Sequence, residues 1–299
     1  MLVSNRIQDI LGFYESENPG VKANLIRMLL HGKLAGSGKL LILPVDQGME
    51  HGPTKSFSKN PQSYDPHYHF KLAIEGGFSA YAAPLGMLEA GASTYAGLIP
   101  LILKLNSSTL LSPKNSLDQV VTSSIKDALK LGCSAIGITI YPGSHNFFSM
   151  IRETRDLIAE AKAAGLAVVI WSYPRGNDIS KQGETAIDIV AYAAHIAASL
   201  GANIIKVKLP TSHIERDSIP YDISSLEKRI EYIKLSCFAR RRLVVFSGGE
   251  TKTDEELFQE VQSIKLGGGD GSIIGRNSFQ RSKSNAISMI EKIAKIYNN

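Results

Sequence analysis

Cysteine is almost missing from the 299 residues: Cys133 and Cys237 are the only two, each alone in its segment. That excludes a disulfide framework and a CxxC metal site, and it makes a reducing cytoplasm the expected compartment. Long apolar runs are missing as well, since none approaches the roughly 20 residues of a membrane span. The opening stretch MLVSNRIQDILGFYESENPG places Arg6, Asp9, Glu15 and Glu17 where a signal peptide needs an apolar core, so no membrane partner is expected. Charge of one sign is nowhere concentrated. The net charge of +5 and the pI near 9.0 come from an excess spread along the chain. This argues against a nucleic-acid partner and suits phosphorylated or carboxylated metabolites.

The remaining composition, 43% hydrophobic and 20% charged, is that of a globular chain able to bury a large core. Residues 1–38 read as helical pieces, IQDILGFY and VKANLIRMLLHGKL, ending on Gly36, Ser37 and Gly38, and are taken as an N-terminal extension. From residue 39 onward, short apolar runs alternate with longer amphipathic ones. The strand candidates are LLILPVD (40–46), FSAYAA (78–83), PLILKL (100–105), SAIGITI (134–140), AVVIWSY (167–173), NIIKVK (203–208), LVVFSG (243–248) and GSIIG (271–275). Helix candidates between them, such as FFSMIRETRDLIAEAKAAG, ETAIDIVAYAAHIAASLG and TDEELFQEVQSIKLGG, end on glycine. The last opens with the capping box Thr253-Asp-Glu-Glu256. Eight strands alternating with helices and no break in composition predict one parallel α/β domain over 39–299. Its length of about 260 residues matches a (β/α)8 TIM barrel. A doubly wound open sheet is the rival, disfavoured because no GxGxxG follows the first strand.

In a barrel the chemistry sits at the C-terminal ends of the strands. Those ends carry Asp46 after the first strand, Trp171, Tyr173 and Arg175 after the fifth, and Lys206 and Lys208 on the sixth. Ser247, Gly248 and Gly249 follow the seventh, and Gly275 and Arg276 the eighth. Strand alternation turns Ile205 and Val207 toward the helices and Ile204, Lys206 and Lys208 toward the interior. An inward ammonium is costly unless it has a task. Burial and a second cation both favour the neutral amine, which can attack a carbonyl. The competing reading is that both lysines snorkel or pair with carboxylates. Spacing alone does not separate them.

The glycine turns SGG and GR expose backbone N–H groups where barrels commonly bind phosphate, with Arg276 adding a charge-assisted contact. Tyr173 is a candidate proton carrier whose pKa the neighbouring lysines are expected to lower. Asp46 either orients the amine or a substrate hydroxyl, or caps the turn before Gly48. His67 and His69 resemble a metal pair, but no third ligand stands at a matching spacing, so a surface or packing role is expected. No role is assigned to His51, His145, His195 or His213.

Taken together and in order, LPVDQGMEHGP, WSYPRG, GANIIKVK, FSGGETKT and IIGRNSFQR resemble the class I fructose-bisphosphate aldolases of the archaeal type, the DhnA family. Gln47, where several archaeal members have histidine, places the likeness nearer the bacterial branch. The resemblance runs from about residue 39 to the C-terminus. It implies a (β/α)8 fold, no metal or other cofactor, and reversible cleavage of fructose 1,6-bisphosphate in glycolysis and gluconeogenesis. It also implies a homo-oligomer, often a decamer. The implied Schiff-base lysine is Lys206, the proton-transferring tyrosine Tyr173, the pocket tryptophan Trp171 and the nearby aspartate Asp46. The implied holders of the phosphate next to the ketone are the backbone of Ser247, Gly248, Gly249 and Gly275, with Arg276; Arg175 is the partner of the far phosphate. Two rival readings share much of this inventory: a Schiff-base transaldolase-type synthase or thiolase on the same scaffold, and a non-catalytic sugar-phosphate-binding protein.

Overall fold

The computed structural model describes residues 4–111, 117–247 and 252–299. Each of the eight apolar runs forms a strand: β1 Leu40–Pro44, β2 Ala80–Pro84, β3 Leu101–Lys104, β4 Ala135–Ile140, β5 Ala167–Ser172, β6 Ile204–Lys208, β7 Leu243–Ser247 and β8 Gly271–Ile273. All are parallel, and the ring closes through the pairing of β1 with β8, giving the predicted barrel. Short, mostly apolar runs form these strands because a parallel barrel strand is covered on both faces and needs no polar alternation.

Two apolar layers follow from strand alternation. Ile205 and Val207 of β6 join the layer between barrel and helices, with partners such as Ile158, Val190 and Leu257. Ile204 joins the layer inside the barrel, with Leu40, Ile42, Val169 and Val245. The helices outside follow the predicted segments at Phe147–Ala163, Ile187–Ser199 and Asp254–Leu266, and Thr253 and Glu256 form the capping box. An element the periodicity does not show is a two-residue antiparallel ladder, Asn106–Ser107 with Val120–Val121, just past β3. It is too short to have a period.

The N-terminal segment forms α1, Asn5–Gly12, and α2, Pro19–Leu29, capped by Ser4 and Asn18. Ile7, Ile10, Tyr14, Val21, Leu25 and Met28 are buried in the interior layer. The Tyr14 hydroxyl donates to the Asn203 carbonyl and accepts the Leu243 N–H, at the N-terminal ends of β6 and β7. These two helices are the floor of the barrel, and they leave the C-terminal mouth as its open end. No helix among the described residues is long and apolar enough to cross a membrane.

Candidate active site

At the C-terminal mouth lies a cavity of about 120 Å³ whose walls include Asp46, Glu50, Tyr173, Arg175, Lys206 and Arg276. Lys206 is buried, with its ammonium nitrogen 5.0 Å from the Tyr173 ring centre and 5.7 Å from that of Trp171. Among the described residues it makes no hydrogen bond or ion pair. Burial, helped by the cations of Lys104 and Arg276 and opposed by Asp46 and Glu50, lowers its pKa to about 8. Lys208 behaves otherwise, pairing with Glu184 at 2.9 Å. The two lysines that the sequence could not separate are thus one free amine and one ion-paired wall residue.

The second cation beside Lys206 comes from β3. Lys104, 2% exposed, donates to Thr139 Oγ1 at 2.6 Å and to the Asn106 carbonyl at 3.2 Å, and lies 4.0 Å from Asp46 Oδ2. The Asn106 side-chain amide in turn donates to the Thr139 carbonyl at 2.8 Å and accepts the Thr139 N–H at 2.7 Å, so the acceptor for Lys104 is fixed from two sides. The Trp171 indole is within cation–π range of both lysines, with Lys104 at 5.2 Å. Room for this indole is made by Gly137 of β4, where a Cβ would stand 2.6 Å from the Trp171 ring and 3.2 Å from the Lys104 side chain. That is why glycine interrupts an otherwise branched strand.

Asp46 is buried at the start of the short helix Gln47–His51, yet its side chain makes no capping bond. The turn-cap reading is therefore replaced by the electrostatic one, since the carboxylate faces Lys104 and opposes the depression of Lys206. One helical turn on, Glu50 lies on the same wall, and burial together with Asp46 pushes its carboxyl up to about 7. For Tyr173 the expected direction is corrected. Its phenol is raised well above its ordinary value because burial and the carboxylates of Asp46 and Glu50 outweigh Arg175 and the hydrogen bond with Ser247. The resting side chain is a protonated phenol.

The remaining predicted residues divide by position. Arg175 stacks over Tyr141 and Tyr173 at 5.0 and 5.6 Å, and its N–H donates to the Pro142 carbonyl. Gly275 has a packing reason besides any phosphate role, because a Cβ there would stand 2.7 Å from the Pro44 carbonyl and 3.0 Å from Gln47 Nε2. Arg276 and Ser247 line the cavity with it. Gly248 and Gly249 lie outside the described residues. His67 and His69 lie within the helix Pro66–Gly76. His69 is buried among Phe57, Tyr68 and Phe279 and bonds the Ser63 carbonyl at 2.8 Å, while His67 meets Tyr95. Among the described residues no three His, Cys, Asp or Glu side chains are grouped to hold a metal ion.

A family model for DeoC/LacD family aldolases matches residues 40–281, a span that includes all eight strands. The chain belongs to this family. The aldolase is 37% identical over 303 residues, 95% of this chain and 87% of the relative, to a protein of Chlamydia muridarum named probable fructose-bisphosphate aldolase class 1. It is 38% identical over 260 residues, 87% of this chain and 90% of the relative, to the fructose-bisphosphate aldolase class 1 of Thermoproteus tenax. In structure it matches an archaeal fructose-1,6-bisphosphate aldolase with its catalytic lysine covalently bound to the carbinolamine intermediate of the substrate. The TM-score is 0.77, with 35% identity, 92% of this chain and 100% of that chain covered.

Sequence reasoning missed two residues of the aldolase's cavity region. Lys104 carries the same signal as Lys206, a lysine at an inward position of an apolar strand: Leu101 and Leu103 pack outward and Ile102 inward. Glu50 carries no such signal, because it lies in a five-residue helix without a usable period.

Proposed function

We propose that the chain is a class I aldolase that reversibly cleaves fructose 1,6-bisphosphate into dihydroxyacetone phosphate and glyceraldehyde 3-phosphate. The observation that carries this reading is Lys206: a buried amine without an ionic partner among the described residues, lowered to about 8, facing a phenol at the mouth of an aldolase-family barrel. The neutral amine adds to the C2 ketone and gives a carbinolamine. Its hydroxyl leaves as water with a proton from Tyr173, and the iminium cation that forms is an electron sink. The phenolate left behind takes the proton of the C4 hydroxyl. The C3–C4 bond breaks, its electrons neutralise the iminium to an enamine, and glyceraldehyde 3-phosphate departs. Tyr173 then protonates C3, and water returns to release dihydroxyacetone phosphate and the free amine. Arg276, with the backbone of Ser247, Gly248, Gly249 and Gly275, holds the phosphate next to the ketone; Arg175 holds the far one; Trp171 walls the pocket.

Incubation with fructose 1,6-bisphosphate followed by borohydride reduction is expected to leave a dihydroxyacetone phosphate adduct on Lys206, located by peptide mass spectrometry. A folded, phosphate-binding protein with no adduct would overturn the reading. The cation of Lys104 has its own test. Lys104→Met removes one of the two cationic repulsions that, with burial, lower the pKa of Lys206, and it leaves Asp46 attracting Lys206 alone. The pKa of Lys206 should rise by about one unit, so trapping at pH 7 should fall roughly tenfold and recover at high pH. An unmoved pH profile of the trapping rate would reduce Lys104 to a packing role.

A further inference from the structure

Two loops beside the cavity, one carrying Arg175 and the other following Lys208, are joined by carboxylates that have no part in the proposed cleavage. Residues 174–186 follow β5 and include Arg175; residues 209–217 follow β6 directly after Lys208. Glu215 is the centre of the join. Its carboxylate accepts the Ser180 N–H at 2.7 Å and the Ser180 hydroxyl at 2.8 Å, and lies 2.9 Å from His213 Nε2. These bonds hold its carboxyl at about 2, so it is charged throughout the working pH range. Gly183 makes the socket, since a Cβ there would stand 2.6 to 2.8 Å from the three carboxyl atoms of Glu215. Asp188, in the first turn of Ile187–Ser199, accepts the backbone N–H groups of Glu215, Arg216 and Asp217 at 3.0, 2.8 and 3.1 Å. Two backbone bonds complete the join, Thr211 N–H to the Thr185 carbonyl and Ile187 N–H to the His213 carbonyl.

Arg175 makes no ion pair among the described residues. Its guanidinium is placed by two aromatic faces and by its own backbone, which is pressed against the loop after β4: a Cβ on Gly176 would stand 1.7 Å from the Gly143 carbonyl oxygen. From Gly176 onward Asn177 meets His145 at 2.8 Å, the Asp178 carbonyl accepts from Arg216 at 2.8 Å and Ser180 binds Glu215, so two of these three ties lead to the loop after β6; Glu184 in the same segment sets Lys208 at the cavity wall. Charge-assisted bonds to a carboxylate are about twice as strong as neutral ones, which suits them to fixing a loop.

We propose that Glu215 and Asp188 are positioning residues that fasten the loop after β6 to the loop after β5, hold Arg175 and Lys208 at the cavity wall, and so set the affinity for the phosphate far from the ketone. The proposal rests on the reading of Arg175 as the partner of that phosphate. Glu215→Ala is expected to raise KM for fructose 1,6-bisphosphate about tenfold with kcat little changed, because a loosened arginine costs binding of a group remote from the reacting carbons. Borohydride trapping of dihydroxyacetone phosphate, which has no far phosphate, should be unaffected, and this also shows that the variant is folded. Gly183→Ala, which evicts the carboxylate without changing any charge, should reproduce the rise. Glu215→Gln, which keeps an acceptor for Ser180, should give an intermediate value. An unchanged KM in both alanine variants overturns the proposal, as does an equal loss of dihydroxyacetone phosphate trapping. Failure of the unaltered protein to trap dihydroxyacetone phosphate would instead overturn the aldolase reading beneath it.

Discussion

Lys206→Met is expected to abolish cleavage, a loss on the order of 10⁴- to 10⁶-fold of the kind seen when a covalent nucleophile is removed. Methionine has nearly the same length and leaves the Trp171 and Tyr173 walls in place, so phosphate affinity should survive, measured as protection by fructose 1,6-bisphosphate in thermal unfolding. Stability should rise, not fall. The amine is lowered from 10.5 to about 8 on folding, so between those values the unfolded chain binds more protons than the folded one. Stability of the unaltered protein therefore increases with pH across that window, and the cost of burying the lysine is fully present below it. At about 1.4 kcal/mol per pKa unit this cost is at most on the order of 3 to 4 kcal/mol, partly offset because Asp46 and Glu50 lose a cationic neighbour. Calorimetry at pH 7 should find the methionine variant more stable, with the advantage shrinking toward pH 10.5. Retained turnover would remove Lys206 from the reaction, and a large loss of stability at pH 7 would contradict the burial of an unpaired amine.

The parts of this site that the sequence makes legible are those governed by strand alternation. Lys206 is conspicuous because period two turns it inward from an apolar run, and Lys104 obeys the same rule. What alternation cannot supply is which inward lysine stays free. Lys208 is neutralised by Glu184, a residue 24 positions away in a short 3-10 turn after β5. The direction of the Tyr173 shift has the same origin. The lysines beside it are visible in the sequence, but Glu50 reaches the cavity only through the fold of a five-residue helix, and its charge with that of Asp46 reverses the expectation. Gly137 looks like a weak point in a strand until the register sets Thr139 beside Trp171, which brings the indole over the glycine. The floor was hidden for another reason: α1 and α2 read as ordinary amphipathic helices, and nothing local shows that Tyr14 reaches two strands nearly two hundred residues away or more.

Tyr173→Phe is expected to lower cleavage by about 10²- to 10⁴-fold while leaving the first covalent step in place. A phenol raised well above its ordinary value cannot serve as a base in the resting enzyme. In the proposed mechanism it first gives up its proton to the departing carbinolamine hydroxyl. The phenolate, whose ring centre lies 5.0 Å from the lysine nitrogen, then faces a fixed positive charge on the iminium where before it faced a titratable amine. The high intrinsic pKa that bars Tyr173 from acting as a base at rest makes its conjugate base strong once it exists, so one side chain performs both steps in order. Phenylalanine keeps the ring against Lys206 and loses only the hydroxyl and its bond with Ser247, a cost of about 1 kcal/mol in stability. Water at the open mouth can still assist loss of the carbinolamine hydroxyl, whereas the C4 proton loses the acceptor proposed for it. The six-carbon iminium should therefore accumulate. Borohydride reduction of the variant is expected to yield a Lys206 adduct carrying the whole hexose bisphosphate, where the unaltered protein yields the three-carbon fragment. A three-carbon adduct formed at the normal rate would assign the C4 proton to another group, and Glu50, on the same wall with its carboxyl near 7, would be the first to replace.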